Sequence, residues 1–134
     1  MPSSSRESSV AAAEMAAMLA SSSRVLIVTH ENPDGDGIGS ALALWWSLRQ
    51  QGKDVHCHLT DPCPEKYLFL PGAVALSHEP PGTCFDRAVA LDCDGARRLG
   101  ELLPAFSAAL HTCSIDHHNG EHRFADANWV DAGR

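Results

Sequence analysis

Three short stretches of the chain combine imidazole and carboxylate groups at spacings that suit a metal. In HENPDGDG, His30, Asp34 and Asp36 fall within one tight turn. In ALDCDG, Asp92 closes an apolar run, and in SIDHHNG, Asp116, His117 and His118 close another. A single strand-end Asp is more often a turn former or helix cap than a ligand. The joint pattern is different: brought to one edge, these carboxylates would repel one another unless a cation stood between them. Mixed imidazole and carboxylate donors suit manganese, and magnesium less well. A carboxylate shared between two positions suits a binuclear centre.

The elements that must position these groups are readable in the pattern of apolar residues. Arg24 to His30 (RVLIVTH) is apolar on both faces and belongs in the middle of a covered, parallel sheet. The helix expected after it runs from Asp36 or Gly37 to Gln51, with Gly52 as its stop. Ile38, Ala41, Leu42, Trp45 and Leu48 repeat at helical spacing, and Ala43, Leu44 and Trp46 widen the apolar face, so core packing of both tryptophans is expected over a base-stacking platform. Gly37 and Gly39 either let backbone N–H groups approach an anion or simply permit a turn.

A first helix is expected from Ser8 or Ser9 to about Ala20, closed by Ser21 to Ser23. Asp54 to Thr60 reads as a second strand whose His56 and His58 are ordinary strand histidines, since no second ligand pair completes four-coordination. About one helical turn over Glu65 to Leu70 and a short edge strand around Val74 to Ser77 follow. Asp86 to Asp92 and His111 to Ile115 are further strands, separated by a helix over Glu101 to Leu110 that tolerates Pro104 near its first turn. Three strands thus end in Asp or His, and in open α/β sheets ligands bind at the carboxyl ends of the strands. Beyond Glu121 the chain shows little periodicity apart from Asn128 to Asp131, and no closing strand or helix is expected.

Composition narrows the function further. The net charge is −7, with 17 acidic against 10 basic residues, which argues against a surface that tracks along a nucleic-acid polymer. It disfavours small phosphorylated substrates less, because cations bound among the acids offset them locally. Five cysteines without C-x-x-C spacing imply a reduced, cytoplasmic chain, and no apolar stretch reaches the length of a membrane span. Residues 1–7 are Ser-rich and expected to be disordered, leaving residues 8–134 as one domain.

HENPDGDGIGSALAL resembles the first motif of the DHH phosphoesterase family, VALDCDGARRLG its second, and SIDHHNG its third. Order and spacing agree from about Arg24 to the C-terminus. The branch it looks most similar to contains bacterial oligoribonucleases that degrade very short RNAs and often dephosphorylate 3′-phosphoadenosine 5′-phosphate. The resemblance implies a three-layer α/β domain with a mainly parallel sheet and helices on both faces. It implies that His30, Asp34 and Asp92 hold one manganese ion and Asp36, Asp92 and His117 the other. His118 would face the substrate phosphate and either stabilise the transition state or protonate the leaving oxygen, Asp116 would orient the histidine pair, and a water held between the metals would attack phosphorus in line. Arg97 or Arg98 would contact a phosphate, with a solvated surface pair the equal alternative.

The sequence also departs from the family pattern. No counterpart of a fourth, Asp-containing motif is found, and the second, C-terminal domain that completes the family's cleft is absent from these residues. The catalytic domain is therefore expected to be incomplete at its C-terminal end, needing a further domain or partner chain, with a homodimer left open. Two other readings stand beside hydrolysis of short nucleotides: a family II inorganic pyrophosphatase-like hydrolase, and a metal-binding fragment without turnover of its own.

Overall fold

The computed structural model describes residues 12–29, 35–59, 65–67, 69, 85–91, 96–116, 125 and 127–130. Five parallel strands make one sheet in the order β2-β1-β3-β4-β5: β1 (Arg24–Thr29), β2 (Asp54–His58), β3 (Arg87–Leu91), β4 (His111–Asp116) and β5 (Ala127–Val130). Helices α1 (Ala12–Ala20), α2 (Gly35–Gln50) and α3 (Leu103–Ala108) cover it. The expected three-layer α/β architecture is what the chain forms.

Strand β1 lies between β2 and β3, and Val25, Leu26, Ile27 and Val28 are all fully buried. Alternate residues point to opposite faces, so β1 feeds two cores. Val25 and Ile27 pack with Met15 and Leu19 of α1, Ala41, Trp45 and Leu48 of α2, and Val89 and Cys113. Leu26 and Val28 pack with Ala88, Ala90, Leu99, Leu102 and Phe106 on the other face. Each fully buried Val, Leu or Ile contributes roughly 1.5–3 kcal/mol, which is why an uninterrupted apolar run takes the middle of the sheet.

Helix α2 ends as expected. Gly52 adopts φ +85, its N–H donates to the Arg49 carbonyl at 2.9 Å, and the Lys53 N–H donates to the Leu48 carbonyl at 3.3 Å. This pair of bonds closes the last turn, and the left-handed glycine makes it accessible. Helix α1 ends in its serines: the Ser21 and Ser22 hydroxyls each donate to the Met18 carbonyl at 2.9 Å. Lys53 Nζ donates to the Ala20 and Ser22 carbonyls, and Arg87 reaches Ser22 Oγ, the Met18 carbonyl and Cys113 Sγ. Cations at a helix C-terminus offset its partial negative charge, and here they also pin α1 to the sheet.

Several expectations are corrected. Trp45 is 7% exposed but Trp46 is 41% exposed, and Ala43 is exposed, so the buried face of α2 is narrower than eight apolar residues suggest. One side of a helix meets the sheet; Trp46, one residue on from Trp45, is turned about 100° away. The expected helix over Glu101 to Leu110 is shorter, because a 3₁₀ segment, Ala96–Leu102, is kinked at Gly100 (φ 55, ψ −128) before α3 begins with Pro104 in its first turn. The weakly patterned end of the chain holds β5, whose pairing with β4 runs Cys113↔Ala127 to Asp116↔Val130. Glu65–Tyr67 is a 3₁₀ turn, and the strand expected around residues 74–77 lies outside the described residues. Among the described residues no helix is long and apolar enough to cross a membrane.

Candidate functional site

The candidate residues follow strands of the sheet at its carboxyl edge, on either side of the point where the strand order reverses. β1 is followed by β2 on one side, whereas β3, β4 and β5 extend on the other. Helix α2, joining β1 to β2, packs in one core, and the 3₁₀ segment with α3, joining β3 to β4, packs in the other. In a doubly wound sheet such a reversal leaves a crevice outside the carboxyl ends of the two strands that flank it, here β1 and β3.

The register aligns the strand ends at that crevice. Thr29 of β1 is paired with Leu91 of β3, and Leu91 with Ile115 of β4. The next residues along the three strands are His30, Asp92 and Asp116, with His117 and His118 following. Neighbouring strands lie about 4.8 Å apart, so the three exits fall within about 10 Å of one another. Parallel pairing with no residue offset thus sets the ends of β1, β3 and β4 side by side.

The expected site residues fall into two groups. His30, Asp34, Asp92, His117 and His118 lie outside the described residues. The backbone places the others: Asp36 in the first turn of α2, Asp116 at the last position of β4, and Arg97 and Arg98 in the 3₁₀ segment that follows β3. Among the described residues no three His, Cys, Asp or Glu side chains form a metal-sized group. His56 and His58 behave as strand histidines: His56 Nε2 is 3.0 Å from Asp54 Oδ1 and meets the Phe85 ring edge-on, and His58 is buried.

Gly39, in the second turn of α2, has open space where a Cβ would stand, with nothing within 4 Å. Packing therefore does not require a glycine there, and the helix gives up propensity without a packing return. A contact not apparent from the motifs lies directly beneath the strand exits. The buried Thr29 hydroxyl donates to the Leu91 carbonyl at 2.7 Å. Its signal in the sequence is a single hydroxyl ending an otherwise apolar strand interior.

At the opposite, amino-terminal edge, Asp86 ties the same two strands. Its carboxylate accepts from the Ser23 N–H at 2.9 Å and the Arg24 N–H at 2.7 Å. Partial burial pushes the Asp86 carboxyl up, but these two amides, its own N–H and the neighbouring Arg87 charge outweigh that and hold it below the usual range.

The fold defines a class: a doubly wound, parallel α/β domain whose strand order switches between β1 and β3. Residues 24–132 match the DHH family, N-terminal domain. The chain belongs to that family. It is 35% identical over 115 residues to the bifunctional oligoribonuclease and PAP phosphatase NrnA of Thermus thermophilus, across 82% of this chain and 32% of that protein. It thus spans about a third of the length of this relative. The fold also superimposes, with a TM-score of 0.80, on the crystal structure of an exopolyphosphatase-related protein from Bacteroides fragilis. That match, at 23% identity, covers 91% of this chain and 38% of the other.

Proposed function

We propose that this chain is the metal-binding domain of a phosphoesterase that hydrolyses phosphodiester or phosphomonoester bonds in short oligoribonucleotides, dinucleotides or 3′-phosphoadenosine 5′-phosphate. One observation carries the reading: the unshifted register Thr29↔Leu91↔Ile115, which makes His30, Asp92 and Asp116 the next residues on three adjacent strands. The similarity to a bifunctional oligoribonuclease and PAP phosphatase supports the substrate class.

The donor chemistry fits a divalent cation. Imidazole from His30 and His117 with carboxylates from Asp34, Asp36 and Asp92 is the mixed nitrogen and oxygen set that accepts manganese. His30, Asp34 and Asp92 would hold one ion and Asp36, Asp92 and His117 the second, with Asp92 common to both. Such a pair of cations supplies charge neutralisation on phosphoryl oxygens and acidifies water. The chain's own groups do the rest. Asp116 orients the adjacent histidines, His118 donates a proton to the leaving oxygen, and Arg97 or Arg98 binds a phosphate oxygen of the substrate.

A second reading is a metal-binding unit that turns over only when completed by further chain. It is favoured by the extent of the match, 32% of the relative's length. The test is release of mononucleotide from a diribonucleotide, and of phosphate from 3′-phosphoadenosine 5′-phosphate, with manganese present, for this chain and its Asp92→Ala variant. Activity lost in the variant supports the phosphoesterase reading. A folded chain that binds manganese and releases nothing supports the second, and a chain that does neither refutes both.

A further inference from the structure

Resting on that phosphoesterase reading, we infer that Thr29 is a positioning residue of the metal centre: its hydroxyl, by holding the Leu91 carbonyl, couples the exit of β1 to the exit of β3 and so sets the spacing of His30 and Asp92. Thr29 is the one hydroxyl residue in β1, is fully buried, and stands at the last position of the strand, next to His30. Its acceptor is the last carbonyl of β3, in the peptide unit through which the chain passes from Leu91 to Asp92. That unit is planar, so fixing its oxygen fixes the direction in which the chain leaves the strand. The 2.7 Å separation is the ordinary length of a well-formed O–H···O bond.

In a strand interior of Val25, Leu26, Ile27 and Val28, a valine has nearly the same shape and a higher strand preference but leaves the Leu91 carbonyl without the hydroxyl, a stability cost that unfolding of the metal-free proteins reads separately from metal affinity. What valine lacks is direction. The hydroxyl adds a cross-strand restraint at the one register position, Thr29↔Leu91, that adjoins two proposed ligands from different motifs. The bond lies between β1 and β3, the two strands that flank the switch point of the sheet.

The test compares the full chain with Thr29→Val and Thr29→Ser, measuring manganese affinity by calorimetry and urea unfolding of the metal-free proteins. Loss of partners that orient metal ligands typically weakens affinity 10- to 100-fold, and through one intervening peptide the lower end, about 10-fold, is expected for Thr29→Val. Thr29→Ser keeps the hydroxyl and should bind as wild type does. Manganese affinity of a folded Thr29→Val within about two-fold of wild type overturns the inference, as does equal weakening in Thr29→Ser. Should Thr29→Val not fold, Thr29→Ala is read with the same two outcomes. A wild-type chain that binds no manganese overturns the phosphoesterase reading along with it, whereas normal wild-type binding with an unaffected Thr29→Val overturns only the role of Thr29.

Discussion

Replacing Asp86 with alanine should cost about 2 kcal/mol of folding stability, and the structure supplies the reasoning. The carboxylate accepts two backbone N–H groups, from Ser23 and Arg24, that precede and begin β1. The Asp86 N–H in turn donates to the Arg24 carbonyl at 3.1 Å, so residue and carboxylate together lace β1 to β3. Hydrogen bonds to a charged group contribute roughly 1.5–3 kcal/mol each when buried. Asp86 is only half-buried, and water replaces part of the loss, so about 1 kcal/mol per bond is the working figure. Asp86→Asn keeps one acceptor oxygen and should lose about half as much.

The pH dependence gives a second, independent check. Because the folded carboxyl titrates below its unfolded value of 3.8, its contribution is fully present above that value and disappears as pH falls through the folded one. The stability gap between wild type and Asp86→Asn should therefore be flat from neutral pH to about pH 5 and narrow below it. Urea unfolding followed by far-UV circular dichroism across that range measures both. An Asp86→Ala loss under about 0.5 kcal/mol, or a gap that widens on acidification, would refute the argument.

Glycine to alanine should have opposite signs at two positions. Gly52→Ala, at φ +85, should destabilise by about 1 kcal/mol, whereas Gly39→Ala, in a helix with open space around the new methyl, should stabilise by roughly 0.5–1 kcal/mol in chemical denaturation. The tryptophans should separate as well. Trp45→Ala removes a core side chain at a cost of about 3–5 kcal/mol, whereas Trp46→Ala removes a half-exposed ring whose edge contact to Trp45, 4.9 Å between centroids, is worth about 1 kcal/mol. Equal losses would contradict the exposure of Trp46. Burial pushes the Cys57 thiol up to about 12, and Cys113 is fully buried, so peptide mapping after alkylation at pH 8 should find both unmodified in the native chain and modified in urea.

Much of the fold was legible because its signals are local. The apolar runs of β1, β3 and β4, the helical spacing from Ile38 to Leu48 and the glycine stop at Gly52 each report on a few consecutive residues, and each element formed there. β5 was not legible. Four residues, Ala127–Val130, carry too little pattern to mark a strand, and it is the free edge of β4 that pairs them. The kink at Gly100 was hidden for the opposite reason: a helix pattern was present, but the chain must bend between β3 and α3 to set Leu99, Leu102 and Phe106 against one face of the sheet.

By itself the sequence determined the kinds of groups available for chemistry: His30, Asp34 and Asp36 after one strand, Asp92 after a second, and Asp116, His117 and His118 at the end of a third. Side-chain type and short-range spacing are covalent facts, and mixed imidazole and carboxylate groups at such spacing are the basis on which a divalent cation is proposed. Which strands are neighbours, and in what register, is decided only when backbone hydrogen bonds close between segments some sixty residues apart, as between β1 and β3. That pairing depends on burying both faces of β1 at once, a property of the assembled layers and of no single stretch of chain. The tertiary structure thus made the ends of β1, β3 and β4 neighbours.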